Sequence, residues 1–194
     1  QPQYLLDGQQ RLTSLHRVFT NHADAQVVFN VESERFQIAS AAAKVNHEQH
    51  LRMVVKIREA CGGLAGKTLG VLGLSFKPNT NDMREAPSLT ILKELMKEGA
   101  TVRAYDPVAL EEAAKLIPGM IPCKEAYDVA ENADGLIIMT EWNQFRNLDF
   151  DRLKQTMRQR LLLDLRNVYD SDRVTGHGFR HVSVGRPTRE PRPV

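Results

Sequence analysis

The sequence is poor in the features that mark several protein classes. It has two cysteines among 194 residues, Cys61 and Cys123, which give no disulfide framework. Its formal net charge of +2 is too small to argue for nucleic-acid binding. No apolar run approaches the length of a membrane span, and no signal peptide opens the sequence. We therefore expect a cytoplasmic protein that has no membrane segment and does not depend on nucleic acid.

Two phosphate-binding motifs are also missing. Gly70 and Gly73 give only a GxxG spacing, and bulky side chains such as Phe76 stand where a dinucleotide fingerprint needs its third glycine. Lys77 is followed by Pro78, so the same stretch is not a P-loop. Any phosphate bound here must be held by other means.

The sequence gives little support to a metal site or a reactive thiol. The six histidines form no HExxH motif and no Cys/His cluster, although His47 and His50 could meet on one helix face. Two ligands without a third make a weak metal site, so we expect no metal. Cys61 lies at a predicted helix end and Cys123 beside an apolar Ile-Pro run, and we expect both thiols to be inert.

What is present indicates an ordinary globular α/β protein. Hydrophobic residues make up 42% and charged residues 26%, and the length suits one full domain with an appendage. Apolar strands alternate with helical periodicity, which predicts a Rossmann-like doubly wound parallel sheet preceded by a helix and a short α+β appendage. We predict helices at 45–61, 87–98, 110–116, 124–131 and 151–158, and strands at 68–72, 101–105, 135–140, 161–163 and 181–184.

The loop after the first strand is the strongest candidate for a binding site. Ligands of open α/β sheets bind at the carboxyl ends of the strands, where Phe76, Lys77 and Arg84 should lie. Lys77 would supply a cation on a flexible stem, and Arg84 a planar fork for an anion. The alternative is that both are solvated loop charges, which is the usual state of Lys and Arg.

Asp106 and Trp142 follow two other predicted strands and allow two interpretations each. An acid at the end of a second strand often binds ribose, but Asp106 precedes Pro107 and more simply forms a turn that caps the next helix. We do not assign it to a cofactor. Trp142 could face a bound base or pack a loop, and packing is commoner for a lone tryptophan.

Five segments in order closely resemble the C-terminal domain of the UDP-glucose/GDP-mannose dehydrogenase family, with a further match near the end. They are VNHEQHLRMVVKI, GKTLGVLGLSFKPNTNDMREAPS, ATVRAYDP, ADGLIIMTEW and LLLDLRNVYD, followed by GFRHVSVGR. Their spacing spans residues 45–186, most of the chain. The resemblance implies a UDP-sugar-binding domain of an NAD-dependent oxidoreductase that converts UDP-glucose and two NAD to UDP-glucuronate, working as a homo-oligomer.

The resemblance also implies roles for four residues. Phe76 and Lys77 match the family's substrate loop, and Arg166 matches an arginine that contacts the UDP-sugar, commonly from the partner subunit. Arg84 matches an arginine that reaches the NAD cofactor, which is bound mainly by another domain. Many members have glycine where this chain has Leu165, so a close backbone approach at that position is in doubt.

Two parts of the family pattern do not occur in this sequence. The family's N-terminal domain has a GxGxxG fingerprint for NAD, and its catalytic cysteine lies in a GGSCFPKD-like segment. Neither Cys61 nor Cys123 has that context. We therefore assign no catalytic residue and expect this chain alone to be inactive and to bind NAD weakly.

The first 43 residues resemble a different family. Residues 7–11, DGQQR, match a signature of modification-dependent restriction proteins with a ParB-like nuclease fold. The match is short, and a polar turn opening a helix explains it equally well. With a seam near 41–44, the chain reads as a chimera: an appended fragment at 1–43, a central-helix segment at 44–62, a UDP-sugar-binding domain at 63–186 and a disordered tail at 187–194. A DNA-processing or interaction protein is the alternative function.

Overall fold

The computed structural model describes the backbone of residues 34–192 and the side chains of residues 44–192. The chain divides into two units, Gln1–Ala43 and Lys44–Val194. The DGQQR segment at 7–11 lies outside the described residues, so its predicted resemblance stays a prediction.

Over residues 34–192, strands and helices alternate after a long first helix. The elements in chain order are α1 (Glu34–Cys61), β1 (Thr68–Leu72), α2 (Pro87–Lys97), β2 (Thr101–Tyr105), α3 (Leu110–Leu116), β3 (Ile121–Pro122), β4 (Gly135–Ile138), α4 (Phe150–Thr156), β5 (Leu161–Asp164), α5 (Ser171–Gly176) and β6 (Arg180–Ser183). Two short 3₁₀ helices, Asp128–Ala130 and Asn143–Asn147, precede β4 and α4.

The strands form one six-stranded sheet in the order β3-β2-β1-β4-β5-β6, and every pair is parallel. This is the order of the doubly wound dinucleotide-binding fold, and it confirms the predicted fold class. The chain moves outward from β1 to β3 and then returns to place β4 on the other side of β1. The reversal creates a crevice between the carboxyl ends of β1 and β4.

Side chains alternate across the sheet and build a hydrophobic core on each face. Leu161 and Leu163 of β5 belong to the core on the side of α1, α2 and α3. Leu162 belongs to the opposite core, which contains Phe145 and Phe150 of the second 3₁₀ helix and α4. Both faces of the sheet are covered, as a parallel sheet requires.

The element boundaries differ from the predictions in several places. Helix α1 begins at Glu34 rather than Val45, and the alanines of this added stretch favour helix strongly. The helix predicted at 124–131 is only the 3₁₀ turn Asp128–Ala130. Strand β3 and helix α5 were not predicted. None of the helices described over residues 34–192 combines the length and apolar character needed to cross a membrane.

The tail was predicted to be disordered from residue 187, but residues Arg189 and Arg192 make defined contacts with the rest of the protein. Arg189 and His181 exchange two backbone hydrogen bonds, at 2.8 and 2.9 Å, on the free edge of β6. Arg192 contacts Asp172 at 2.7 Å. The Pro/Arg composition suggested disorder, but an unpaired strand edge offers backbone partners that composition cannot reveal.

Candidate functional site

The candidate site lies at the carboxyl edge of the sheet, where three loops follow neighbouring strands. The loop after β1 carries Phe76 and Lys77, the loop after β4 carries Glu141, and the loop after β5 carries Arg166. Because β1, β4 and β5 are adjacent and parallel, these loops lie side by side. This is the edge at which the sequence predicted ligand binding.

The start of the β1 loop is tightly held by hydrogen bonds. The Ser88 hydroxyl of α2 donates to the carbonyl oxygen of Leu74 at 2.5 Å, and the Thr140 hydroxyl donates to that of Ser75 at 2.7 Å. The Phe76 amide donates to the Asp82 carbonyl at 2.9 Å and closes the loop on itself. The backbone that precedes Lys77 is therefore fixed from two sides.

Phe76 and Lys77 project from this fixed base towards solvent. Phe76 is 49% exposed, which is high for a phenylalanine. Lys77 is also exposed and has no carboxylate partner within 4.0 Å among residues 44–192. A rigid base with an exposed aromatic ring and an exposed ammonium can stack on a planar ligand and bind an anion.

A buried carboxylate, Asp106 at the end of β2, organises the same edge. Its Oδ2 accepts hydrogen bonds from the backbone amides of Leu74 and Ser75, at 2.7 and 3.2 Å. Its Oδ1 accepts from the amides of Val108 and Ala109, at 3.0 and 2.8 Å, just before α3. Asp106 is 2% exposed, so its carboxylate serves the protein backbone and is not available to a ribose.

Trp142 and the Ser75 hydroxyl also donate to this carboxylate, the hydroxyl to Oδ2 at 3.2 Å. The indole Nε1 of Trp142 donates to Asp106 Oδ2 at 3.2 Å, and the residue is 7% exposed. Of the two interpretations that the sequence left open, the structure supports packing against a loop. The ring is not positioned to stack on a bound base.

Arg166 is held at the surface by Glu141. Its Nη2 donates to Glu141 Oε1 at 2.9 Å and its Nε to Oε2 at 2.5 Å, in a bidentate pair. The hydrogen bond from Arg166 holds the pKa of Glu141 below its usual value, so the pair stays charged at neutral pH. The two N–H groups of Nη1 are left for another acceptor.

Arg84 makes a similar pair farther along the β1 loop. Its Nε and Nη2 donate to the two oxygens of Asp82, at 3.0 and 2.9 Å, and the Arg84 side chain is 89% exposed. Hydrogen bonds from Arg84 lower the pKa of Asp82 to about 2. Arg84 therefore faces solvent, and it lines a cleft together with Asp82, Leu89 and Glu112.

Two smaller clefts meet near Arg166. A polar cleft of about 260 Å³ is lined by Glu141, Arg146 and Arg166. An apolar cleft of about 270 Å³ lies beside it and is lined partly by Met53 and Met139. Leu165 and Val184 line both clefts.

The cysteines and histidines do not join this site. Burial raises the pKa of Cys61 to about 11 and also raises the pKa of Cys123, so neither thiol ionises readily at neutral pH. Within residues 44–192, no group of three or more His, Cys, Asp or Glu side chains is arranged to hold a metal ion. His50 has a lowered pKa because it is partly buried and faces His47.

Comparison of the chain with known proteins identifies the family to which it belongs. The profile of the UDP-glucose/GDP-mannose dehydrogenase family, UDP binding domain, matches residues 70–171, more than half of the chain. The chain belongs to this family. The matched range contains Phe76, Lys77, Arg84 and Arg166, so the resemblance read from the sequence motifs is confirmed.

Individual relatives agree with the family. The chain is 47% identical over 152 residues to a UDP-glucose 6-dehydrogenase of Rhizobium meliloti (strain 1021), and the match covers 78% of this chain and 35% of the relative. A structure of a UDP-glucose dehydrogenase from Pyrobaculum islandicum superposes with a TM-score of 0.52 at 34% identity, covering 60% of this chain and 26% of that one. The chain thus spans about a third of the length of the curated relatives it matches.

A third comparison concerns the fold alone. The structure of an NDP-N-acetyl-D-galactosaminuronic acid dehydrogenase from Methanosarcina mazei Go1 superposes with a TM-score of 0.67 at 22% identity, covering 92% of this chain and 36% of that one. The arrangement of sheet and helices is therefore shared beyond close sequence similarity.

Two glycines of the first strand and its loop lie close to other parts of the protein. A side chain at Gly70 would lie 2.5 Å from the Val129 carbonyl oxygen, and one at Gly73 would lie 2.5 Å from Thr140. The protein itself therefore occupies the space next to both glycines.

Sequence reasoning missed two members of the site, Thr140 and Glu141. The signal was available, because both follow the buried strand β4 at the edge where ligands bind. Their contacts with Ser75 and Arg166 could not be read from the sequence, since the residues in each pair are 65 and 25 positions apart.

Proposed function

We propose that this chain is the UDP-binding part of an NAD-dependent UDP-glucose 6-dehydrogenase, whose whole reaction converts UDP-glucose and two NAD to UDP-glucuronate. The observation that carries the proposal is the family match over residues 70–171, a range that contains Phe76, Lys77 and Arg166. The relative from Rhizobium meliloti named for this activity supports the choice of sugar nucleotide.

In this proposal, Lys77 and Arg166 bind the diphosphate from two loops at the carboxyl edge of the sheet, on either side of the loop after β4. Lys77 supplies an ammonium above the fixed β1 loop, and Arg166 supplies the free Nη1 side of its guanidinium. Phe76 covers the nucleotide with its exposed ring. All three groups lie at the carboxyl edge, where open α/β sheets bind ligands.

Arg84 has a separate proposed role toward NAD. Its guanidinium is exposed to solvent, so it can meet a cofactor bound by another domain. Hydride transfer to that cofactor needs the family's cysteine segment, which does not occur in this sequence. A homo-oligomer in the cytoplasm completes the proposal.

Titration calorimetry on the full chain tests the proposal with UDP, UDP-glucose, GTP and duplex DNA as ligands. We expect heat from UDP and UDP-glucose and none from DNA. Binding of DNA without UDP would instead favour the DNA-processing alternative, which rests on residues 7–11.

A lysine substitution gives the sharper form of the test. Lys77→Ala should weaken UDP binding by about 1.5 to 3 kcal/mol, because it removes one charge-assisted contact. Lys93→Ala is the matched control, since Lys93 is an exposed lysine on α2 away from the carboxyl edge. Equal UDP affinity in the two variants would contradict the assignment of Lys77.

A further inference from the structure

The loop after β4 begins with a tight turn made by Thr140, Glu141 and Trp142. The Trp142 amide donates to the Thr140 carbonyl at 2.9 Å, which closes a three-residue turn with Glu141 at its apex. Thr140 is 1% exposed, whereas the Glu141 carboxylate reaches the surface. We call these three residues the bridge turn.

The two ends of the bridge turn contact the β1 side of the crevice. The Thr140 hydroxyl donates to the carbonyl oxygen of Ser75 at 2.7 Å. The Trp142 indole donates to Asp106, the carboxylate that also holds the Leu74 and Ser75 amides. The first contact therefore ends on the backbone that leads to Lys77, and the second reaches the same backbone through Asp106.

The apex of the bridge turn contacts the opposite side. Glu141 accepts both hydrogen bonds from Arg166, which follows β5. Arg166 is fixed at its other end because its amide donates to Asp164 Oδ1 at 3.1 Å. One turn of three residues thus contacts both loops that carry the proposed diphosphate contacts.

The packing of the bridge turn shows that its position is built into the fold. Gly73 has a φ of 86°, and a β-carbon there would lie 2.5 Å from the Thr140 side chain. The β1 loop therefore has a glycine, which has no side chain, at the point where the bridge turn comes closest.

We propose that Thr140, Glu141 and Trp142 are positioning residues that set the separation between Lys77 and Arg166. The ligand in this proposal rests on the proposed function, a UDP diphosphate bound by both cations. Two cations on different loops bind one diphosphate well only if their spacing is set beforehand, because ordering them on binding costs free energy. The bridge turn supplies that spacing without touching the ligand.

A double-mutant cycle with UDP affinity as the readout tests the proposal on the full chain. Thr140→Val removes the contact with the β1 loop, and Glu141→Gln weakens the contact with Arg166. Each should weaken UDP binding about 3- to 10-fold, the effect of one lost hydrogen bond. The double variant should bind about as weakly as the weaker single variant, because either change already breaks the bridge. Losses that simply multiply would overturn the proposal, since they would show two independent local effects.

Two further variants separate positioning from stability. Thr140→Ser keeps the hydroxyl and should restore most of the UDP affinity lost in Thr140→Val. Thr175→Val removes another buried hydroxyl, which donates to the Ser171 carbonyl at 3.0 Å, and should lower the melting temperature without changing UDP affinity. Equal affinity losses in Thr140→Val and Thr175→Val would overturn the positioning role. If Thr140→Val does not fold, Trp142→Phe replaces it in the cycle because it also removes one contact with the β1 side.

Hydrogen exchange without ligand distinguishes failure of this inference from failure of the proposed function. Thr140→Val should speed exchange of the Ser75 amide and also of the Arg166 amide, which Thr140 does not contact. Unchanged exchange at Arg166 would overturn the inference whatever the chain binds. Faster exchange at both amides in a chain that does not bind UDP would support the bridge and reject the UDP site.

Discussion

Asp164 is the buried carboxylate on which the Arg166 loop depends. Its Oδ2 accepts from the Tyr169 amide at 2.8 Å and lies 3.8 Å from His181 Nε2, while Oδ1 accepts from the Arg166 amide. Burial alone would raise the pKa of Asp164. The nearby His181 ring, 3.8 Å away, and hydrogen bonds from the backbone outweigh burial and hold the pKa of Asp164 below its usual value.

The lowered pKa predicts an acid-sensitive stability. A carboxylate whose pKa is lower in the folded state stabilises the fold fully above its unfolded value, and this contribution is lost as pH falls through the folded value. We expect the melting temperature to fall below about pH 4 partly because Asp164 becomes protonated. Asp164→Asn should be less stable at pH 7 and should lose less stability between pH 5 and pH 2.

Melting curves from pH 2 to pH 7 measure this effect. Asp172→Asn is the control, because Asp172 is an exposed carboxylate with a surface ion pair that contributes little. If Asp164→Asn kept the full acid dependence of the unchanged chain, the acid sensitivity would have to come from other carboxylates.

At the residue scale, the sequence predicted the exposed cations but not the contacts that Glu141 and Asp106 make around them. The position of Lys77 after a buried strand is enough to select it, whereas Arg166 was selected only by the family resemblance. Glu141 and Asp106 act through partners on other strands, and the Asp106 partner Trp142 is 36 positions away. Contacts between residues that follow different strands depend on the order of the strands in the sheet, and the local sequence pattern does not reveal that order.

At the element scale, the loop after β1 depends on one glycine. Gly73→Ala should destabilise the fold by about 2 kcal/mol or more, because it adds a methyl group against Thr140 and strains a residue at positive φ. Gly62→Ala is the control, since Gly62 has a φ of 67° but a β-carbon there would meet nothing within 4 Å.

Urea unfolding of the two variants separates strain from steric clash. Gly62→Ala reports the cost of positive φ alone, and the additional loss in Gly73→Ala reports the clash. Equal losses in the two variants would show that the β1 loop moves away from Thr140 at little cost.

The elements predicted best were those with strong periodicity and clear ends. Strands β1 and β2 and helix α3 have the predicted bounds, because apolar runs or stripes end at turn residues. Strand β3 was missed because it has two residues, one of them Pro122, and both are exposed. Helix α5 was missed although Asp170 is a good N-cap and accepts from the amides of Asp172 and Arg173.

At the scale of the whole molecule, this chain should not turn over substrate by itself. We expect no NADH absorbance when the purified chain is mixed with UDP-glucose and NAD, because the sequence lacks the GxGxxG fingerprint and burial raises the pKa of both Cys61 and Cys123. Steady NADH formation by the chain, with a heat-inactivated sample as the control, would contradict this expectation.

The chimera hypothesis makes a second prediction at this scale. A chain shortened to begin at Val45 should unfold cooperatively and keep UDP binding, because the six strands described over residues 34–192 and the site loops lie beyond the cut. Calorimetric melting and UDP titration of the shortened and full chains provide the comparison. Loss of folding in the shortened chain would show that residues 1–44 belong to the same core.

The two edges of the sheet have a consequence for self-association. Strand β3 is short and contains Pro122, which offers no N–H, while the outer edge of β6 is covered by Arg189. Cleavage of the chain between Ser183 and Arg189 would uncover the β6 edge and leave it free to pair with the same edge of another molecule. A proteolysed preparation would therefore aggregate sooner than the intact protein, with no change in the core of the fold.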